Sequence, residues 1–112
     1  MKKYNLGEFE EIVLLAIAIL HRSAYGISIK DEIESQLERE VSLGALHTAL
    51  LRLEDKGYIR SSKGEETEER AGRPRNYVEI TAAGKKAITY AKESREKMWN
   101  AIPKIVFEIR GV

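Results

Sequence analysis

The sequence has no cysteine, so it can form neither a disulfide nor a thiolate metal site, and a cytoplasmic setting is the natural expectation. It has two histidines, His21 and His47, too few for a histidine metal site in one chain without carboxylate help. The longest apolar run, Ile12 to Leu20, falls well short of the ~20 residues needed to span a bilayer. Glu8, Glu10 and Glu11 precede that run and no small-residue cleavage site follows it, so neither a targeting segment nor a membrane partner is expected. There is little excess charge of either sign: the formal net charge is +1, and any case for nucleic acid must come from where the charges sit. No Ser/His/Asp or Cys/His set is available, and the glycines form no phosphate-binding fingerprint. No catalytic residue, metal or cofactor is therefore expected.

What is present is the composition of one globular domain: 112 residues, 33% charged and 43% hydrophobic. A polar arm, 1–5, leads into a helix expected from Gly7 to about His21, whose middle is apolar on every side. Such a helix must be covered on every side, and in a small domain one side needs a partner subunit. A second helix, Gly26 to about Arg39, carries Ile29, Ile33 and Leu37 as its buried stripe, with Lys30, Asp31, Glu34 and Glu38 on a solvated face.

The third helix, Ser42 to Lys56, has the clearest punctuation. Ser42 is a good N-cap, and Lys56 followed by Gly57 is a stop signal. Leu43, Leu46, Leu50 and Leu53 make one apolar stripe; Gly44, His47, Thr48, Leu51, Arg52 and Asp55 lie opposite. A helix presenting its N-terminal end and a short polar face can enter a DNA major groove. Beyond Gly57 the period shortens to that of strands, at 58–63 and 77–80, joined by a long polar loop. The loop is acidic on entry (Glu65, Glu66, Glu68, Glu69) and basic on exit (Arg70, Arg73, Arg75).

Thr81 caps a last helix. Its Gly84, Ile88, Ala91, Arg95, Met98, Ile102, Ile105 and Ile109 follow a heptad seam interrupted by the charge of Arg95. Pro103 ends or kinks this helix near Ile102, and an amphipathic tail, 104–110, follows. The seam is too long for the domain to cover alone, so the last helix reads as the second half of a homodimer interface. The expected contacts are Phe9, Val13 and Ile17 on the first helix, and Ile88, Ala91, Met98 and Ile102 on the last. Three helices closed by a β-hairpin make a mainly α fold with a small hairpin, the winged helix-turn-helix. Residues 1–80 form that domain and 81–112 the dimerisation helix and tail.

The segments LGEFEEIVLLAIAIL, AYGISI, VSLGALHTALLRLEDKGYIRS and AGRPRNYVEITAAGKKAI stand in this order between about Leu6 and Ile88. They resemble the PadR family of bacterial transcriptional regulators in its short form with one C-terminal helix. The resemblance implies a homodimer that represses an inverted-repeat operator in double-stranded DNA. Many relatives respond to small hydrophobic or aromatic effectors. The family's recognition-helix pattern carries over to Ser42, Gly44, Ala45, Thr48 and Arg52, and its basic wing end to Arg70, Arg73 and Arg75. His47, also expected near DNA, departs from the tyrosine common in the family, and it donates hydrogen bonds with a pH-dependent charge. Trp99 and Met98 are the candidate effector contacts by resemblance, and dimer-core packing is the other reading of Trp99. A winged-helix module that binds protein without operator specificity remains the alternative, supported by the acidic loop entry and the near-neutral charge.

Overall fold

A computed structural model describes residues 4–62 and 75–110. The elements in order are α1 (Glu8–Leu20), a 3-10 turn (His21–Ser23), α2 (Gly26–Leu37), α3 (Leu43–Asp55), β1 (Ile59–Ser62), β2 (Tyr77–Ile80), α4 (Ala82–Ala101) and a 3-10 tail (Lys104–Glu108). The fold is mainly helical with one antiparallel two-stranded hairpin, a winged helix. The strands pair in the register Ile59 with Ile80, Arg60 with Glu79, Ser61 with Val78 and Ser62 with Tyr77. The molecule is elongated, 59 × 32 × 22 Å, and every α4 residue from Lys92 to Ala101 is exposed.

The core is aliphatic. Leu14, Ile17, Ile29, Ile33, Leu46, Leu53 and Val13 are its fully buried larger side chains, each contributing ~1.5–3 kcal/mol relative to exposure. They come from α1, α2 and α3, so α1 is the central rod on which the other two helices pack. Val13 and Ile17, expected at a dimer face, belong to this core. Their Cβ vectors point inward, and the outward side of α1 is carried by Leu15 and Ile19 instead. Phe9 also packs against the core, with the Arg39 guanidinium 5.6 Å from its ring centroid.

Two stripes are turned relative to the sequence pattern. Leu37 closes α2 but is 48% exposed, and Leu43 opens α3 at 54% exposed. Both sit at helix ends beside the short connection through 38–42, in which Val41 is the residue turned into the core. Ala49 takes the core position next to Leu46 and Leu53. The connection is set by Glu38, which adopts a left-handed conformation (φ 50°) and stops α2 before Arg39. Glu34, expected to be merely solvated, accepts from the Val41 amide at 2.8 Å and pairs with Lys30 at 3.2 Å. The Val41 amide, and then Lys30, hold its carboxyl below the usual range.

The α3 stop is a Schellman turn. Gly57 has φ 79°, its amide donates to the Glu54 carbonyl, and the Tyr58 amide donates to the Leu53 carbonyl. At the same end of the hairpin, the Thr81 amide donates to the Tyr58 carbonyl and its hydroxyl donates to the Gly57 carbonyl and accepts from the Gly84 amide, and α4 begins. Gly84 sits where the first turn of α4 crosses Tyr58, just before β1, and the end of β2. A Cβ built there would lie 2.2 Å from the Tyr58 carbonyl oxygen and 2.8 Å from Ile80 Cγ1. Backbone cannot yield as a flexible side chain can, so Gly84→Ala is expected to cost about 3 kcal/mol, the upper end for overpacking. Urea unfolding checks this; a loss within the ~0.5 kcal/mol typical of surface substitutions would contradict the close crossing.

Candidate nucleic-acid interface

Burial of Leu46, Ala49 and Leu53 fixes the rotation of α3 and turns its other side to solvent. Gly44, Ala45, His47, Thr48, Leu51 and Arg52 are all exposed on that outer face, and Leu43 joins them. The first turn is small (Gly44, Ala45), which lets a helix end approach another surface closely. The Ser42 hydroxyl accepts from the Ala45 amide at 3.1 Å, so it is used to start the helix. The next turn presents hydrogen-bonding groups on His47 and Thr48, and a cation follows at Arg52.

Beneath the C-terminal half of α3 lies a buried carboxylate, Glu10, one of the three glutamates that precede the apolar run of α1. Glu10 of α1 accepts from the Gly7 amide at 3.0 Å and from Lys56 Nζ at 2.6 Å, with Arg52 Nη1 3.9 Å away. Lys56 also donates to the Asn5 carbonyl at 2.8 Å. Burial alone would push the Glu10 carboxyl upward. The Lys56 and Gly7 hydrogen bonds and the charges of Lys56 and Arg52 together outweigh it, and its pKa lies below the ordinary value. Glu10 thus ties the C-terminal end of α3 to α1 through Lys56, with the exposed Arg52 at the edge of the same cluster. Its bond to Gly7 is the local contact of an N3 glutamate with the N-cap amide, whereas no local pattern marks the pair with Lys56, which is far along the chain.

The start of β2, at the loop end of the hairpin, adds a second cation beside the α2 N-terminus. The Arg75 guanidinium carbon lies 4.4 Å from the Tyr25 ring centroid, and Tyr25 meets Tyr77 edge-on at 5.5 Å. The Val78 amide donates to the Ala24 carbonyl at 2.9 Å, fixing β2 to the turn before α2. Across the hairpin, Arg60 pairs with its register partner Glu79 at 2.7 Å. Arg70 and Arg73 lie outside the described residues.

Away from this face, α1 and α4 enclose an open cleft lined by Glu11, Leu15, Ile88, Lys92, Arg95 and Trp99. Arg95, the charged break in the seam, donates to Glu11 at 2.9 Å. Met98 is 75% exposed and Trp99 64% exposed. Trp99 stacks in parallel with Phe107 of the tail, centroids 6.4 Å apart, so the chain folds back across Pro103. Ile88 and Ala91 are half-buried against the domain, and Ile102 is more open. Among the described residues, no helix is long and apolar enough to cross a membrane.

Three helices closed by a hairpin, the third of them with a buried stripe and a polar outer face, define a winged helix-turn-helix protein. A model of the transcriptional regulator PadR-like family matches residues 14–90, and the chain belongs to that family. Solved structures agree. The protein smu.1704 from Streptococcus mutans is 28% identical, with a TM-score of 0.64 over 97% of this chain and 99% of that one. A transcriptional regulator from Clostridium thermocellum is 27% identical, with a TM-score of 0.65 over 91% and 90%. RosR of H. salinarum is 25% identical, with a TM-score of 0.70 over 91% and 84%. No curated protein matches the chain.

Proposed function

We propose that the chain is a sequence-specific DNA-binding regulator. In this reading it is a cytoplasmic homodimeric repressor of an inverted-repeat operator, released by a small hydrophobic or aromatic effector. The observation that carries the reading is the outer face of α3. It has small residues in the first turn, then His47 and Thr48, then Arg52 at the edge of the Glu10 cluster, all exposed on a helix whose other side is locked into the core. Residues 1–80 are the DNA-binding unit, and 81–112 bring two copies together.

His47 and Thr48 contact base edges; Arg52 and Arg75 contact phosphates, with Arg70 and Arg73 added from the wing sequence. Ser42, Gly44 and Ala45 shape the approach. The effector meets Trp99 and Met98 near the cleft between α1 and α4.

The test is fluorescence anisotropy with duplexes from the promoters flanking its own gene, at two salt concentrations. Arg52→Ala weakens binding to operator and unrelated duplex about equally and reduces the salt slope by about 0.9. His47→Ala weakens the operator selectively. An unchanged slope for Arg52→Ala removes the phosphate assignment. No binding to any duplex at low salt transfers the fold to the protein-interaction reading.

A further inference from the structure

We infer that the tail after Pro103 is a docking segment for a second copy of this chain, seating in the apolar groove between α1 and α2. The inference rests on the proposed homodimer and names a contact that the dimer reading does not require. The groove holds about 180 Å³ and is walled by Ile12, Leu15, Ile19, Ile33 and Leu37, with Glu32 on its rim. Its walls are almost wholly apolar, and no described segment of its own chain fills it.

The tail has the complementary character. Its 3-10 repeat places Phe107 against Trp99, which leaves Ile105, Val106 and Ile109 without cover, each about half exposed. Lys104 and Arg110 flank these apolar groups and outnumber the one acidic residue of the segment, Glu108, so the tail carries a small positive excess toward the rim at Glu32. The tail also stands at the end of the exposed half of α4, which carries it away from its own helical domain.

Continuity points to a second copy as the occupant. Leu15 lines both the cleft between α1 and α4 and the groove between α1 and α2. A partner α4 lying in the first would therefore bring its tail along α1 to the second. The Pro103 turn changes the direction of the chain at that point.

The absence of native cysteine makes cross-linking clean. Leu37→Cys, in the groove, and Ile109→Cys, in the tail, are made as separate full-length proteins, mixed and mildly oxidised. The expected product is the mixed disulfide between the two variants, well above either self-disulfide. Ile109→Asp is expected to raise the dimer dissociation constant at least tenfold in sedimentation while leaving the thermal midpoint of the monomeric domain in place. A dimer that gives no mixed disulfide, and whose dissociation constant Ile109→Asp leaves unchanged, overturns the tail contact and leaves the dimer standing. A wild-type chain that is monomeric at all concentrations overturns both. With both cysteines in one copy, a disulfide closed within a single chain would assign the groove to the molecule's own tail and also overturns the proposal.

Discussion

Replacing Glu10 with alanine is expected to lower stability by about 2–3 kcal/mol and to weaken DNA binding under conditions where the variant is still folded. Three groups lose their acceptor or counter-charge at once: the Gly7 amide, Lys56 Nζ and the Arg52 guanidinium. Removing one partner of a fully buried pair costs about 3–5 kcal/mol. Here Lys56 is 25% exposed and can regain water, which places the loss below that range. Glu10→Gln keeps the volume and an acceptor for Gly7 but not the charge, so its cost should fall between wild type and alanine.

The pH dependence has a definite sign. The Glu10 carboxyl is held below its ordinary value in the folded chain. Its stabilisation is therefore fully present above the unfolded-state value and is lost as pH falls through the folded-state value. The stability gap between wild type and Glu10→Gln should be constant near neutrality and shrink as pH falls below the ordinary range of a glutamate carboxyl. Glu34 shares the downward shift, but it is present in both proteins and cancels from the difference. Urea melts across this window decide the matter; a gap that persists unchanged to about pH 3 would show that shape, not charge, makes Glu10 important.

Glu10 also marks where reading the sequence stops. Caps and stops are local chemistry, and Ser42, Gly57 and Thr81 fall where their side chains or backbone freedom suggest. The hairpin strands follow from β-prone residues bounded by polar loop, and the break at Pro103 follows from its missing amide. Faces are harder. The pattern of α1 is apolar all round, so nothing local chooses whether Val13 or Leu15 faces inward; only packing against α2 and α3 does. Leu37 and Leu43 keep the period of their helices yet stand outside, because a helix's end residues can overhang the core. Glu10 and Glu34 look like solvated carboxylates until Lys56 and Val41 are brought to them by the tertiary fold. The outer face of α3 was legible because it is the complement of a short, well-phased stripe, and burial at Leu46 and Leu53 fixes it.

Leu15→Asp is expected to produce a folded monomer that has lost most of its operator affinity. Leu15 is 42% exposed and lines the α1–α4 cleft, so the substitution removes little from the core. Within the proposed dimer the same carboxylate would be buried beside cations, Lys92 and Arg95, that already face Glu96 and Glu11, and the loss of hydration outweighs the remaining contacts. Two half-sites gripped together gain ~10²–10⁴ in affinity from the effective concentration of the second unit. The variant should therefore bind a full inverted repeat no more tightly than an isolated half-site, whereas wild type should prefer the full repeat by that factor. Circular dichroism establishes that the helices remain, sedimentation reports the monomer, and anisotropy compares the two duplexes. A monomeric Leu15→Asp protein that keeps wild-type affinity for the full repeat would mean that one copy reads the operator alone. The exposed apolar surface of α4 would then need a purpose other than spacing two recognition helices.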